Sequence, residues 1–132
     1  RRFDYVGTRD VTPYLAAEAA ADFVEGLGLD ALDAHRTTLA TAADSLLLPL
    51  GAVPVTPRAP ALMAWALPQS RPAEPDDGPA LMRKLWQQAG IQIAASMTHG
   101  RLLLRLSLQA YNDVDDIGRC AQALNRLGWP GR

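Results

Sequence analysis

The sequence predicts an α+β domain, in which a small antiparallel sheet of about three strands is covered on one face by helices. Two helical periodicities fill the first 50 residues, and the pattern changes to that of a buried strand near residue 61. A pair of strand-like segments joined by a glycine-containing turn then precedes a last helix. The element order is therefore helix, helix, strand, helix, strand, strand, helix.

Two helices are predicted before the first strand. Thr12 followed by Pro13 is a favourable helix start, so the first helix is expected over residues 13–27. Gly28 follows at the place where a left-handed residue ends a helix. The second helix is expected over residues 32–50, and the short joint between the two predicts neighbouring helices. The first helix carries an apolar stripe at every fourth residue, formed by Leu15, Ala19, Phe23 and Leu27.

The remaining elements follow from residue 61 onward. Residues 61–68, ALMAWALP, are apolar throughout and read as a buried strand, and QSRPAEPDDG reads as an exposed, mobile loop. IQIAASM, THG and RLLLRLSL predict a hairpin with a three-residue turn. Asp113 is expected to cap a last helix over residues 114–127. The third helix, over residues 79–89, is expected to place inward Leu81, Met82, Leu85, Trp86 and Ala89.

Arg105 lies in the middle of the most apolar strand, RLLLRLSL. Because successive strand side chains point to opposite faces, Leu104 and Leu106 share one face and Arg105 and Ser107 the other. A strand, helix, strand, strand order allows the last strand to lie between the other two, which places Arg105 on the central strand. The strand alone favours a solvated polar face. The order of all the elements adds a second possibility, that the face bearing Arg105 contacts another domain.

Composition excludes several classes of partner. With 48% hydrophobic and 20% charged residues the chain is typical of a soluble globular domain. A formal net charge of −1 gives no basic footprint for nucleic acid or an anionic membrane. No apolar run reaches the roughly 18 residues needed to cross a bilayer. A single cysteine, Cys120, permits no intrachain disulfide, which favours a reducing, cytoplasmic location.

The isolated histidines and acidic residues do not predict a metal site. His35 and His99 have no second ligand at a suitable spacing, and the DVDD segment lacks the spacing and glycine of a calcium loop. The first residues, RRFDYVGTRD, contain no initiator methionine and no signal region, so we expect a piece of a longer protein.

Three segments follow one another in a characteristic order: GTRD before the first helix, AGIQI entering a strand, and LRLSLQAYNDVDDI. Together they resemble class V aminotransferase-fold enzymes that use pyridoxal phosphate, and most of all isopenicillin N epimerase-like members. The resemblance runs from Phe3 to about Leu127. It implies that residues 1–132 are the small C-terminal domain of a fold-type I enzyme, with residues 1–28 as linking segment and first helix and residues 29–132 as the α+β core. The large cofactor domain is then missing.

The resemblance also implies roles for particular residues. Gly7 and Thr8 match the motif that contacts the cofactor phosphate, commonly across a homodimer interface, and Arg105 matches the arginine that binds the substrate carboxylate. Ser107 and Gln109 are polar neighbours, and Tyr111 with Asn112 would form the corner that holds the strand. The Schiff-base lysine belongs to the large domain, and Lys84, beside Arg83 on a polar helix face, is rejected for that role. No catalytic residue is therefore expected here, and the fragment alone is expected to be inactive.

The reaction stays open at this point. Epimerisation, transamination, lyase and desulfurase chemistry are all compatible with the resemblance, although Cys120 lies in a helical run and is a poor candidate for a persulfide carrier. The competing interpretation is a free-standing α+β module that binds an amino acid or forms dimers without catalysis. Such modules begin with a strand, whereas this chain begins with two helices.

Overall fold

The computed structural model describes residues 10–55 and 59–128, and it confirms the α+β class. Its helices are α1 (Thr12–Leu15), α2 (Ala17–Gly26), α3 (Leu29–Leu47), α4 (Asp77–Ala89) and α5 (Val114–Arg126), with a 3₁₀ turn at Leu48–Leu50. Its strands are β1 (Val53–Pro54), β2 (Leu62–Ala66), β3 (Ala94–Thr98) and β4 (Arg101–Ser107). Among these helices, none is long and apolar enough to span a membrane.

The strands form one antiparallel sheet in the order β1-β2-β4-β3. The predicted central position of the Arg105 strand is confirmed, since β4 pairs with both β2 and β3. The sheet has four strands rather than about three. The additional strand, β1, has only two residues, the second of which is Pro54. A strand of this length is too short to show an alternating pattern in the sequence.

The core lies between the leucine face of the sheet and a layer of helices. On β4, Leu102, Leu104 and Leu106 are buried, whereas Arg105 and Ser107 are exposed. Helix α4 packs on β3, and α3 packs on α5. The largest side chain with no exposed surface is Trp65, whose indole N–H donates to Asp44 Oδ1 at 2.9 Å. This bond satisfies the one polar atom of a fully buried indole.

The first predicted helix differs from the structure in continuity and in burial. It is divided into α1 and α2, and the Asp10 carboxylate, rather than the Thr12 hydroxyl, accepts the hydrogen bond at its start, from Thr12 N at 2.9 Å. Neither helix has a buried residue, and Leu15 and Phe23 are 78% and 68% exposed. Apolar periodicity therefore predicted the helix correctly, but the described residues provide no surface that buries the stripe.

The β3–β4 hairpin has a shorter turn than the sequence predicted. Thr98 pairs with Arg101, so only His99 and Gly100 lie between the strands. Both have a positive φ, 50° and 71° respectively. Two positive φ values in a two-residue loop are typical of the turns whose twist matches that of paired strands. His99 is therefore a turn residue.

The loop before α4 is exposed as predicted, and it is tied at several points. Gln69 accepts from Leu102 N at 2.6 Å and donates to Gly100 O at 2.9 Å. Arg71 donates to both carboxylate oxygens of Asp77, at 2.8 and 3.0 Å, and this pairing lowers the pKa of Asp77. Helix α4 begins at Asp77, two residues before the predicted start. The loop therefore ends at Asp77, the acidic partner in this ion pair.

Helix α4 also corrects one predicted core residue. Leu81 and Leu85 are buried as expected, but Trp86 is 61% exposed. On a helix, residue 86 lies to the side of residues 81 and 85. The sequence pattern placed it in a wide apolar stripe that was expected to face the core, but the sheet covers only part of that stripe.

Helix α4 approaches β3 closely at Gly78. A Cβ atom at this position would lie 2.7 Å from Ala95 O and 3.0 Å from Ser96 Cα. We expect Gly78→Ala to lower the free energy of unfolding by about 1–3 kcal/mol, because backbone must move to admit the methyl group. Urea denaturation measures the change.

Gly118→Ala is the matched control, since a Cβ on this α5 glycine meets nothing within 4 Å. It should raise the stability by about 0.5–1 kcal/mol through the higher helix propensity of alanine. Equal effects of the two substitutions would contradict the close approach of α4 to the sheet.

Candidate ligand-binding site

Arg105 lies at the centre of the sheet face that the helices leave open. Its Cα partners are Ala64 on β2 and Ala94 on β3, so methyl groups flank it on both sides. A rigid central strand fixes the Cα position, and small neighbours leave the guanidinium free to reach a ligand. The structure therefore confirms the predicted placement of Arg105 away from the leucine core.

The side chain of Arg105 makes no hydrogen bond and no ion pair with residues 10–55 and 59–128, in contrast to the side chains of several other arginines. Arg71 and Arg119 pair with Asp77 and Asp116 respectively. Arg36 pairs with Asp33. An arginine presents five N–H donors in a planar fork that matches a carboxylate. Arg105 thus keeps its full donor set for a partner outside the described chain.

A groove of about 690 Å³ opens beside Arg105, where β3 begins and α5 starts. Its charged lining residues are Arg105, Arg119 and Asp116. Because Asp116 is paired with Arg119, the charge of Arg105 is left without compensation in the groove. The apolar lining is formed by Met82, Ala89, Ile91, Ile93, Ala94, Leu106, Leu108, Ile117 and Cys120. This arrangement suits an anionic group attached to an apolar body.

Asn112 fixes the corner between β4 and α5. Its side-chain oxygen accepts from Gln109 N at 3.0 Å, and its amide donates to Asp116 Oδ2 at 3.2 Å. His35 Nε2 lies 2.9 Å from the Asn112 carbonyl oxygen, a hydrogen bond in which the ring nitrogen donates. The predicted corner role of Asn112 is confirmed. Tyr111 does not share it, because its side chain is 83% exposed at the rim of the groove.

The same corner is tied to α3 by Arg36, which sequence reasoning did not identify. Arg36 Nη2 donates to Gln109 Oε1 at 2.8 Å, and Arg36 Nη1 donates to Asp33 at 3.1 Å. Arg36 and Gln109 are 73 residues apart, and His35 and Asn112 are 77 apart. No local signal in the sequence links positions that distant, so only the fold reveals them.

Asp113 and Asp116 begin α5 with a capping box. Asp116 N donates to Asp113 Oδ1 at 2.8 Å, and Asp113 N donates to Asp116 Oδ2 at 3.2 Å. The pKa of Asp116 lies below its ordinary value, chiefly because of the hydrogen bond from Asn112 and then that from Asp113 N. The predicted cap at Asp113 is confirmed, and the ionised Asp116 carboxylate connects it to Asn112.

Cys120 lines the groove from α5 but is almost completely buried. Burial raises the pKa of its thiol to about 11. The reactive thiolate is therefore scarce at neutral pH, and the thiol acts as a small core group.

The other sequence-based candidates lie elsewhere. Gly7 and Thr8 fall outside the described residues, so their cofactor role stays a prediction. Lys84, the only lysine in the sequence, is exposed on α4 and lines a separate cleft of about 200 Å³ with Gln69, Arg71 and Leu127. The described residues contain no group of three or more His, Cys, Asp or Glu side chains arranged to hold a metal ion.

The fold and the groove define a class of protein: a small α+β unit whose open antiparallel sheet presents an arginine side chain that is without a partner among the described residues. No protein-family model matches the chain. It is 34% identical to an isopenicillin N epimerase of Streptomyces clavuligerus and 33% identical to one of Amycolatopsis lactamdurans, in each case over 96% of its length. The resemblance to isopenicillin N epimerases is confirmed, and the chain is a homologue of part of these enzymes. It spans about a third of the length of each relative.

The low pKa of Asp116 predicts a specific pH dependence for Asp116→Asn. A carboxylate whose pKa is lowered in the folded state contributes stability above its unfolded pKa, and this stability is lost as the pH falls through the folded pKa. We expect the variant to be less stable than the parent at pH 7, and the difference to shrink below pH 3.8, the ordinary value for Asp. Urea unfolding at pH 7, 5 and 3 measures it.

Asp115→Asn is the control, because Asp115 occupies the same first turn without a side-chain hydrogen bond to any described residue. Asp115→Asn should lower the free energy of unfolding at pH 7 by less than Asp116→Asn does. If the stability difference between the parent and Asp116→Asn instead grows toward pH 3, the lowered pKa of Asp116 is contradicted.

Proposed function

We propose that this chain is the small C-terminal domain of a pyridoxal-phosphate enzyme of the class V aminotransferase type, and that Arg105 binds the α-carboxylate of an amino-acid substrate. One observation carries the proposal: a guanidinium without a partner among the described residues stands between two alanines at the centre of an open sheet face. The names of the relatives favour epimerisation at the α-carbon over the other reactions. The substrate itself is an amino acid or a derivative that keeps a free carboxylate.

The chain contributes binding and orientation. Two parallel N–H···O bonds from one guanidinium fix both the position and the plane of a carboxylate. The strand beneath Arg105 is held laterally by two neighbouring strands and at its end by the Asn112 corner, so the carboxylate is held on a rigid support. Precise orientation of a bound substrate is a large part of what a binding domain adds to catalysis.

We propose that the described residues do not hold the cofactor by themselves. Pyridoxal phosphate supplies an electron sink for reactions at the α-carbon, and it is held through a lysine. The one lysine here, Lys84, lines a different cleft from Arg105, so no step is assigned to it. We propose that the lysine lies in a large domain of the same polypeptide, that Gly7 and Thr8 contact the cofactor phosphate, and that the enzyme is a cytoplasmic homodimer.

Replacing Arg105 in the complete enzyme tests the proposal. A charge-assisted bidentate contact contributes about 1.5–3 kcal/mol, so Arg105→Gln should lower kcat/KM for an amino acid roughly 10- to 200-fold. Arg105→Lys should retain only part of the kcat/KM of the parent, because an ammonium group does not reproduce the planar fork of donors of a guanidinium. Steady-state kinetics with the amino acid and with the corresponding amine that lacks the carboxylate measure the effect.

The amine should respond little to Arg105→Gln, since it offers the guanidinium no partner. Arg101→Gln is the control, because Arg101 is exposed on the same face of β4 and makes no ion pair with a described residue. Equal losses for amino acid and amine, or no loss for either, would show that Arg105 is not the carboxylate anchor.

A second prediction concerns the 132-residue chain by itself. Mixed with pyridoxal phosphate and passed through a desalting column, it should retain no stoichiometric yellow adduct, because its one lysine is exposed and does not line the Arg105 groove. Absorbance after buffer exchange measures retention. A stoichiometric adduct that disappears in Lys84→Ala would show that this chain binds the cofactor through Lys84. It would refute the proposal that the cofactor lysine lies in a large domain.

A further inference from the structure

The backbone groups of β4 point alternately toward β2 and toward β3. Leu108 N donates to Ala61 O at 3.0 Å, and Leu102 O accepts from Leu67 N at 2.8 Å, so the even-numbered residues bond toward the β2 side. Because successive residues of a paired strand direct their N–H and C=O groups to opposite sides, the odd-numbered residues of β4 point toward β3.

The hydrogen-bonded ladder between β3 and β4 stops before it reaches Ser107. Its last pair joins Arg105 to Ala94, the first residue of β3. Continued in the same register, the ladder would place Ser107 opposite Gln92, which lies outside the strand. The N–H and C=O of Ser107 make no backbone hydrogen bond with a described residue. Ser107 therefore has a free backbone donor on the side of β4 that β3 leaves uncovered.

The next residue on this side of β4 is not left open in the same way. Gln109 N donates to Asn112 Oδ1 at 3.0 Å, and Gln109 O accepts from Asn112 N at 3.0 Å. Between Arg105 and the corner, the opening is thus confined to Ser107. Ser107 and Gln92 both line the groove beside Arg105. Backbone groups that have no protein partner here are available to water or to a ligand.

The hydroxyl of Ser107 lies on the same face of the sheet as the Arg105 side chain. The two residues are two positions apart on one strand, so their Cα atoms are separated by about 6.5–7 Å. Both side chains are exposed and both line the same groove. The Ser107 hydroxyl makes no hydrogen bond with a described residue. One carboxylate in the groove can therefore contact the guanidinium and the serine together.

We propose that Ser107 is a second anchor for the carboxylate that Arg105 binds, and that it donates from its backbone N–H and its hydroxyl. This inference rests on the proposed function and adds a binding residue to it. A carboxylate has about four acceptor positions on its two oxygens, and a bidentate guanidinium uses two of them. The donors of Ser107 stand on the same rigid strand, so they hold the carboxylate from a second direction.

The dissociation constants of alanine and ethylamine for the complete enzyme test this anchor, since ethylamine is alanine without its carboxylate. Ser107→Ala should weaken alanine binding about 3- to 15-fold, because one donor to a charged acceptor is lost while the backbone N–H remains. Ethylamine binding should be unaffected. Ser107→Thr keeps a hydroxyl, so it should weaken alanine binding less than Ser107→Ala does. Isothermal titration calorimetry measures the constants.

Ser96→Ala is the matched control. Ser96 is an exposed serine of β3 that lies opposite Leu103, so it shares the open sheet face with Arg105 but does not line the groove. Its replacement should leave both dissociation constants unchanged. In the double variant Arg105→Gln/Ser107→Ala, alanine binding should weaken by less than the product of the two single effects, because both residues hold one carboxylate.

NMR observes the backbone N–H separately and does not depend on catalysis. In complete enzyme labelled with ¹⁵N-serine, the Ser107 amide signal is identified by its absence in Ser107→Thr. Its proton resonance should move downfield when alanine is added, because the N–H then donates to a carboxylate. Ethylamine should not produce this shift.

The outcomes separate this inference from the proposed function. If Arg105→Gln weakens alanine binding while Ser107→Ala has no effect and the Ser107 amide does not shift, the second anchor is wrong and the role of Arg105 stands. If Ser107→Ala weakens alanine binding while Arg105→Gln has no effect, the proposed function fails instead. Equal losses for alanine and ethylamine in Ser107→Ala would identify a purely structural role of the hydroxyl and overturn the anchor.

Discussion

The alternation of side chains along β4 is the constraint on which the rest of the structure depends. Leu102, Leu104 and Leu106 are buried beneath the helices, and this burial fixes the face to which each intervening residue points. A shift of one residue would bring Arg101 and Arg105 into the core, where unpaired guanidinium groups are costly to bury. The position of Arg105 on the open face is thus enforced by the leucines, and its direct neighbours on the two flanking strands are alanines, which offer no acidic group.

A second set of contacts converts this strand into a rigid support. The β4–α5 corner is held internally by Asn112 and Asp116, and externally by His35 and Arg36 from α3. These hydrogen bonds join the helix layer to the end of the central strand, next to the groove. The one buried side-chain nitrogen without a hydrogen bond to a described residue is Arg36 Nε, in this same network.

Two exposed aromatic residues are among those whose burial the sequence patterns misjudged. Phe23 lies on the stripe of α2 and Trp86 on the flank of α4, and both patterns predicted helices that do exist. Periodicity reports that one side of a helix is apolar, but it does not report what that side meets. Apolar side chains that stay exposed on a correctly predicted helix mark a surface at which a ligand or a partner is to be sought.

The sequence by itself determined the α+β class, the types and approximate limits of the main elements, the central position of β4 and the cap at Asp113. The elements and the cap depend on spacing within a few residues, because strand alternation, helix periodicity and capping are local effects. The central position of β4 followed instead from the order of the elements along the chain. It also carried the resemblance to isopenicillin N epimerases, through short motifs in a fixed order. Tertiary structure alone decided the two-residue strand β1, the exposure of Trp86 and the contacts of His35 and Arg36 with the corner. Each of these depends on which distant segment lies opposite, and that information is a property of the packed chain.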